Sequence, residues 1–193
     1  MSSTEQFFSS STVKGQGRSE YYKMLDKAKQ GELIQIRRGI YATSEQLSGN
    51  MIDIDAVVKG GILCLWSAWN IHKLTTSMPQ AFHIAVKRGR KVTVPTFPQI
   101  EIHHFIEIHH FTDKILNVGV IKMTIDGYAI KVYDVERCVC DAVKFRNKIG
   151  TDVCSEIISN YLERPERNIS KLMDYAKVLR VNTTLEIYLE VKL

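Results

Sequence analysis

The chain has 193 residues, 45% of them apolar and 24% charged, which is enough to bury a core and excludes a disordered scaffold. Its longest apolar run, around Gly61 to Ala68, is far shorter than the roughly 20 residues that cross a bilayer. The polar opening Met1-Ser2-Ser3-Thr4-Glu5 has no signal-peptide pattern, so cytoplasmic residence without a membrane partner is expected. The net charge of +5 permits contact with nucleic acid, but it is informative only where the cations cluster.

The composition and spacing predict an α+β protein with a small head over 1–48 and a larger body over 49–193. In the head, Tyr21, Met24, Leu25 and Ala28 form one helical stripe, with Ser19 placed to cap the start and Gly31 to end it. Lys23, Lys27 and Gln30 fall on the outer face, Arg18 at the entrance, and Tyr22 and Lys29 on the flanks, giving a surface suited to a DNA groove or backbone. Leu33-Ile34-Gln35-Ile36 reads as a strand, Arg37-Arg38-Gly39 as a tight turn and Ile40-Tyr41-Ala42 as the returning strand. A helix followed by a basic-tipped hairpin is the ending of a winged helix, in which the helix enters the major groove and Arg37 and Arg38 touch phosphate or the minor groove. The head reads as abbreviated, because residues 1–17 offer only Phe7 and Phe8 as anchors before a Ser-rich and Gly-rich stretch.

In the body, Asp53 is placed to cap a short helix through Val57 and Val58, and a buried helix is expected from about Ile62 to Lys73 after the Gly60-Gly61 break. Trp66 and Trp69 read as core aromatics, and His72 as a residue that bonds a carbonyl. Phe82, Ile84 and Val86 alternate with Ala81, His83 and Ala85 as a strand, followed by Lys87-Arg88-Gly89-Arg90-Lys91 and a returning strand Val92-Thr93-Val94. Lys87, Arg88, Arg90 and Lys91 are therefore a second candidate surface, for DNA or an acidic partner.

Residues 100–111 write Ile-Glu-Ile-His-His-Phe twice, and the even length of the repeat leaves strand faces unchanged. Glu101, His103, Glu107 and His109 would share one face, but a single strand does not close a tetrahedral metal site and no distant ligand cluster completes it, so no metal is expected. Asp126-Gly127 between two alternating runs signals a hairpin, and the body is expected to carry a mostly antiparallel sheet followed by C-terminal helices. Asp134 and Asp152 are placed to cap the first two of these helices, Pro165 interrupts, and stripes from Ile169 to Leu179 and from Leu185 to Leu189 mark two more.

The four cysteines, Cys64, Cys138, Cys140 and Cys154, lack both C-x-x-C and zinc-finger spacing and read as reduced, buried thiols. Asp141, Lys144, Arg146, Asn147 and Lys148 supply one carboxylate among cations, which does not make a metal-dependent cleavage centre. No Ser/His/Asp constellation and no phosphate-cradling glycine loop is present, so no cofactor and no catalytic residue is expected.

The serial order of these pieces resembles the AbiEi family of abortive-infection antitoxins and viral-defence transcriptional regulators. The carriers are Gly31-Glu32-Leu33 leading to Arg37-Arg38-Gly39-Ile40-Tyr41-Ala42, then Leu65, Ser67 and Ala68 followed by His72-Lys73-Leu74-Thr75-Thr76, and Lys87-Arg88-Gly89-Arg90. Val132-Tyr133-Asp134-Val135-Glu136-Arg137, running through Asp141 to Arg146-Asn147-Lys148-Ile149-Gly150, completes them. The resemblance implies a winged-helix head that binds the operator of its own operon and a body that counters a cognate nucleotidyltransferase-like toxin without needing a stable complex, a type IV arrangement. The short start and the doubled segment depart from the family pattern. Two rival readings are a stand-alone transcription regulator without a toxin partner and a metal-dependent nuclease using the His/Glu strand.

Overall fold

A computed structural model describes residues 7–48, 51–92, 100–104 and 112–192. They form a mixed α+β protein in two compact units. The first comprises Met1–Gly61 together with Lys91–Ile100 and Lys122–Ile130, and the second comprises Ile62–Arg90, Glu101–Ile121 and Lys131–Leu193. The expected division at 48 to 49 compares with one at Gly61, and the first unit also draws in two later segments.

The first unit begins with β1 (Phe8–Ser9), α1 (Ser10–Gln16) and α2 (Arg18–Lys29). The Ser-rich stretch expected to be irregular is therefore helical, although α1 buries none of its own residues and stands on its packing against α2. Gly17, at φ 141°, separates the two helices and occupies the N-cap of α2, so Ser19 lies inside the first turn and not at the cap. At the other end Gly31 closes the helix as expected. It takes φ 81°, its N–H donates to the Ala28 carbonyl and the Glu32 N–H donates to that of Lys27, the paired bonds of a Schellman ending.

The chain then forms β2 (Ile34–Arg37) and β3 (Ile40–Ala42), which pair antiparallel with an irregularity between Gln35 and Arg37, while β1 adds to the free side of β3. The core of this unit is Phe7, Met24, Leu33, Ile36 and Ala42 with Met51, Ile52, Ile54, Val57 and Val58. A helix that the periodicity did not announce, α3 (Ser44–Ser48), starts at a reciprocal cap: the Gln46 N–H donates to Thr43 Oγ1 at 3.2 Å and the Thr43 N–H to Gln46 Oε1 at 2.9 Å. In α4 (Ile54–Val57) Asp53 caps as expected, accepting from the Ala56 N–H at 3.0 Å.

The helix expected from Ile62 to Lys73 is shorter. Ile62–Leu63 is a strand, β4, with antiparallel β5 (Phe82–Val86) on one side and β8 (Tyr128–Tyr133) on the other, and only Leu65–Ile71 is helical, α5. A run this apolar fits a strand buried on both faces as well as a helix, and tertiary pairing decides. In β5 His83, Ile84, Ala85 and Val86 are all buried, so the alternation in its sequence does not correspond to one wet face.

The hairpin β7 (Val120–Ile125) and β8 (Tyr128–Tyr133) turns at Asp126 and Gly127, both at positive φ, as its sequence signals. The sheet order is β6 (Ile100–His104), β5, β4, β8, β7, and the β4–β8 pair, Leu63 beside Val132, is parallel. The sheet, expected to be mostly antiparallel, contains this parallel step, made possible because α5, β5, β6 and α6 (Thr112–Asn117) lie between the two strands in the chain. Val92 is not in a strand, and the remainder of the expected return, 93–94, lies outside the described residues.

Four helices complete the second unit: α7 (Val135–Ile149), α8 (Thr151–Leu162), α9 (Ile169–Leu179) and α10 (Asn182–Lys192). Asp134 caps α7 through the Arg137 N–H, whereas α8 starts at Gly150 with Asp152 exposed in its first turn, so the second expected cap is not made. All four cysteines are buried thiols outside any disulfide, and burial pushes the Cys138 and Cys140 thiols well above their ordinary range.

Candidate nucleic-acid interface

In the first unit α1 and α2, joined through Gly17, pack on each other, and the β2–β3 hairpin follows directly. The hairpin is fastened to the helices. The Ser10 N–H donates to the Gly39 carbonyl at 2.8 Å, and a Cβ on Gly39 would stand 2.8 Å from Ser10 Oγ, while Gly39 itself sits at φ 79°. The turn formed by Arg38 and Gly39 is therefore held at the start of α1 by a backbone bond and a close approach that favour glycine. Arg38 is exposed; the backbone of Arg37 ends β2, and its side chain lies outside the described ones.

On α2 the candidate side chains fall into two sets. At 3.6 residues per turn, Arg18, Tyr22 and Lys29 lie within about 40° of arc on one flank of the buried Met24 stripe. All three are exposed, Tyr22 by 65% despite its ring, which lies 6.0 Å from that of Tyr21 between centroids. Lys23 and Lys27 lie on the opposite flank and are also exposed, but Lys23 is engaged by Glu20 at 2.8 Å. Exposed pairs of this kind contribute little stability, so Lys23 can exchange Glu20 for a phosphate at small cost.

Both lysines border a cavity of about 330 Å³ floored by Phe8, Val13, Met24 and Leu33. Lys14 lies 4.8 Å over the Tyr21 ring, which holds α1 against α2. Over 7–48 the sequence carries seven lysines and arginines (Lys14, Arg18, Lys23, Lys27, Lys29, Arg37, Arg38) against four carboxylates (Glu20, Asp26, Glu32, Glu45). Of those four, Glu20 is paired with Lys23, and Asp26 accepts from the Gln30 amide at 3.0 Å.

Lys87, Arg88, Gly89, Arg90 and Lys91 are all exposed at the end of β5.

Several polar residues of the second unit serve its interior. Arg137 is fully buried: its Nε donates to Asp141 Oδ1 at 3.0 Å, its Nη1 to the Ile115 and Val118 carbonyls at 2.7 and 3.1 Å, and its guanidinium lies 4.2 Å over the Tyr133 ring. The Tyr133 hydroxyl donates to the Leu116 carbonyl at 2.8 Å, so one Arg–Tyr pair holds three carbonyls at the end of α6 and its turn. Asp141, one of two carboxylates on α7 with Glu136, is buried within this ion pair. The pairing is a signal the sequence does contain, since Arg137 and Asp141 stand four apart on the inward face of α7.

Trp69 is buried and its indole N–H donates to the Cys138 carbonyl at 3.0 Å; Trp66 packs on it edge-on at 5.1 Å. His72 Nε2 meets the Tyr133 carbonyl at 2.7 Å, the carbonyl partner expected of it. The side chains of the Glu/His duplication lie outside the described ones, and among the described residues no group of three His, Cys, Asp or Glu side chains could hold a metal. Among the described residues no helix is long and apolar enough to cross a membrane.

No family model matches the chain, and no curated protein matches it.

Proposed function

We propose that this chain is a DNA-binding autoregulator and antitoxin that acts in the cytoplasm without chemistry of its own. One observation carries the regulator half: two packed helices followed by a hairpin whose Arg38–Gly39 turn is bonded to Ser10, with Arg18, Tyr22, Lys27 and Lys29 exposed on the second helix. Exposed cations on a helix and on a fixed turn behind it suit a duplex, the helix in the major groove and the turn on phosphate or in the minor groove. This is the winged-helix mode, shortened by one helix among the described residues. The hairpin's bond to Ser10 compensates in part, because it orients the turn without that helix.

The antitoxin half rests on the AbiEi resemblance of the second unit's segments, from Leu65 to Thr76 and from Val132 to Gly150. In this reading the partner is a nucleotidyltransferase-like toxin encoded beside this chain, countered in a type IV arrangement. Co-expression of the two, scored for growth, tests it: restored growth supports the antitoxin, and continued arrest with both proteins present removes that half. The regulator half is tested separately, by a gel shift on the promoter upstream of the pair.

A further inference from the structure

We propose that the turn 87–91 at the end of β5 is a second nucleic-acid contact, one that grips backbone phosphates without reading sequence. Lys87, Arg88, Gly89, Arg90 and Lys91 are all exposed, and the turn is compact, its Arg90 N–H donating to the Lys87 carbonyl at 3.2 Å across Gly89 at φ 77°. Four cations therefore project from one turn. They stand on a rigid base: His83, Ile84, Ala85 and Val86 are buried, Ala85 and Ile84 are registered against Ile62 and Leu63, and the His83 N–H donates to Ser67 Oγ at 2.8 Å. Cations held on a fixed strand end lose less freedom on binding than the same cations on a free loop.

The sign of the patch is set by the chain around it. Between Asp55 and Glu101 the sequence has no carboxylate at all, and both β4 and α5, which pack against β5, come from that stretch. β4 and α5 therefore bring no acid to the strand that carries the turn, whereas β6, its neighbour on the other side, brings Glu101; the stretch between Asp55 and Glu101 itself holds six cations: Lys59, Lys73, Lys87, Arg88, Arg90 and Lys91.

The ligand class follows from what the turn offers and lacks. Two guanidiniums fork onto phosphate oxygens and two ammoniums add point charge, which suits a row of phosphates. No aromatic residue lies within 87–92, so there is no platform on which an unpaired base could stack. The backbone of a duplex is the occupant these features favour over a single strand. The proposal goes beyond the first unit's reading and stands whether or not that reading holds.

The test uses the full chain and a fluorescein-labelled duplex of random sequence, about 30 base pairs long, titrated between roughly 50 and 200 mM salt. The variant carrying Lys87→Gln, Arg88→Gln, Arg90→Gln and Lys91→Gln should bind at least about tenfold more weakly at the low-salt end, with a log–log salt slope shallower by about 0.9 for each phosphate that is no longer neutralised. Arg90→Gln alone, too mild to disturb folding, should lower the slope by about one. Arg88→Lys with Arg90→Lys, which keeps the charge, should preserve most of the slope. Isotherms identical to those of the parent chain for both glutamine variants would overturn the proposal. So would unchanged duplex binding combined with abolished binding to polyglutamate, which would assign the turn to an acidic protein. Weakened binding on substituting Arg18, Lys27 and Arg38, with no change on substituting the turn, sinks this proposal and leaves the first unit's; the converse sinks the first unit's alone.

Discussion

At the residue scale the second unit turns on Arg137. A guanidinium with no exposure to water is tolerable only because a carboxylate, two carbonyls and an aromatic face surround it. Arg137→Ala would leave Asp141 buried and uncompensated, and a loss of about 3 to 5 kcal/mol is expected by chemical denaturation. Replacing Arg137 and Asp141 together by apolar residues of similar volume should recover much of that loss, as measured in the same double-mutant cycle. Gly119 depends on the same cluster. At φ 73°, a Cβ there would stand 2.6 Å from Arg137 Cβ and 2.9 Å from Asp134 Oδ1, neither of which is the free end of a flexible chain. Gly31, at φ 81°, has nothing within 4 Å. Gly119→Ala should therefore destabilise the protein clearly more than Gly31→Ala, whose cost is the backbone strain alone, about 1 kcal/mol. Equal melting shifts for the two would contradict the close packing around Arg137.

At the element scale, α8 holds the segment that follows α5. Glu156 accepts from the Thr76 N–H at 2.9 Å, from Thr75 Oγ1 at 3.0 Å and from Thr76 Oγ1 at 3.0 Å, Asn160 donates to the Leu74 carbonyl, and Arg164 donates to that of His72. The Thr76 N–H leads the bonds that keep the Glu156 carboxyl below its ordinary range, whereas burial lowers the His72 imidazole against the pull of the Tyr133 carbonyl. Both groups are therefore protonated more readily in the unfolded chain. Their stability contribution is present above the unfolded values and is lost as the pH falls from those values through the folded ones. The melting temperature should fall first below the ordinary histidine range and again below the ordinary glutamate range. His72→Gln should flatten the first step and Glu156→Gln the second. A melting curve unchanged by either substitution across both ranges would remove the device.

The same scale shows what the sequence makes legible. Asp53, Asp134, Gly31 and Asp126-Gly127 mark their turns and caps because each acts within a few residues of itself, and the buried stripes of α7 and α9 follow from helical spacing. The elements that differ from expectation are those decided from afar. Ile62–Leu63 is a strand because β5 and β8 are available on both sides, and Ser10–Gln16, with no apolar stripe to announce it, is a helix because α2 lies against it. Gly17 and Gly150 displace Ser19 and Asp152 as caps, since a glycine that lets the chain turn sharply sets where the helix begins.

For the molecule as a whole, the candidate interface is largely legible, because exposed cations need no partner to be recognised in sequence. Arg18, Tyr22, Lys23, Lys27 and Arg38 are all exposed, as are Lys87, Arg88, Arg90 and Lys91. What spacing alone does not reveal is the bond from Ser10 to Gly39 that fixes the turn and the pairing of Lys23 with Glu20. Gly39→Val should consequently weaken DNA binding while leaving the second unit's melting unaltered, a result that separate thermal and binding measurements distinguish.

The most direct test is the salt dependence of binding to a duplex carrying the chain's own promoter, for the parent and for a variant with Arg18→Gln, Lys27→Gln and Arg38→Gln. A DNA-gripping first unit requires weaker binding and a slope shallower by about 0.9 for each cation taken off a phosphate, roughly two to three in all. Superimposable curves for the two proteins would contradict it.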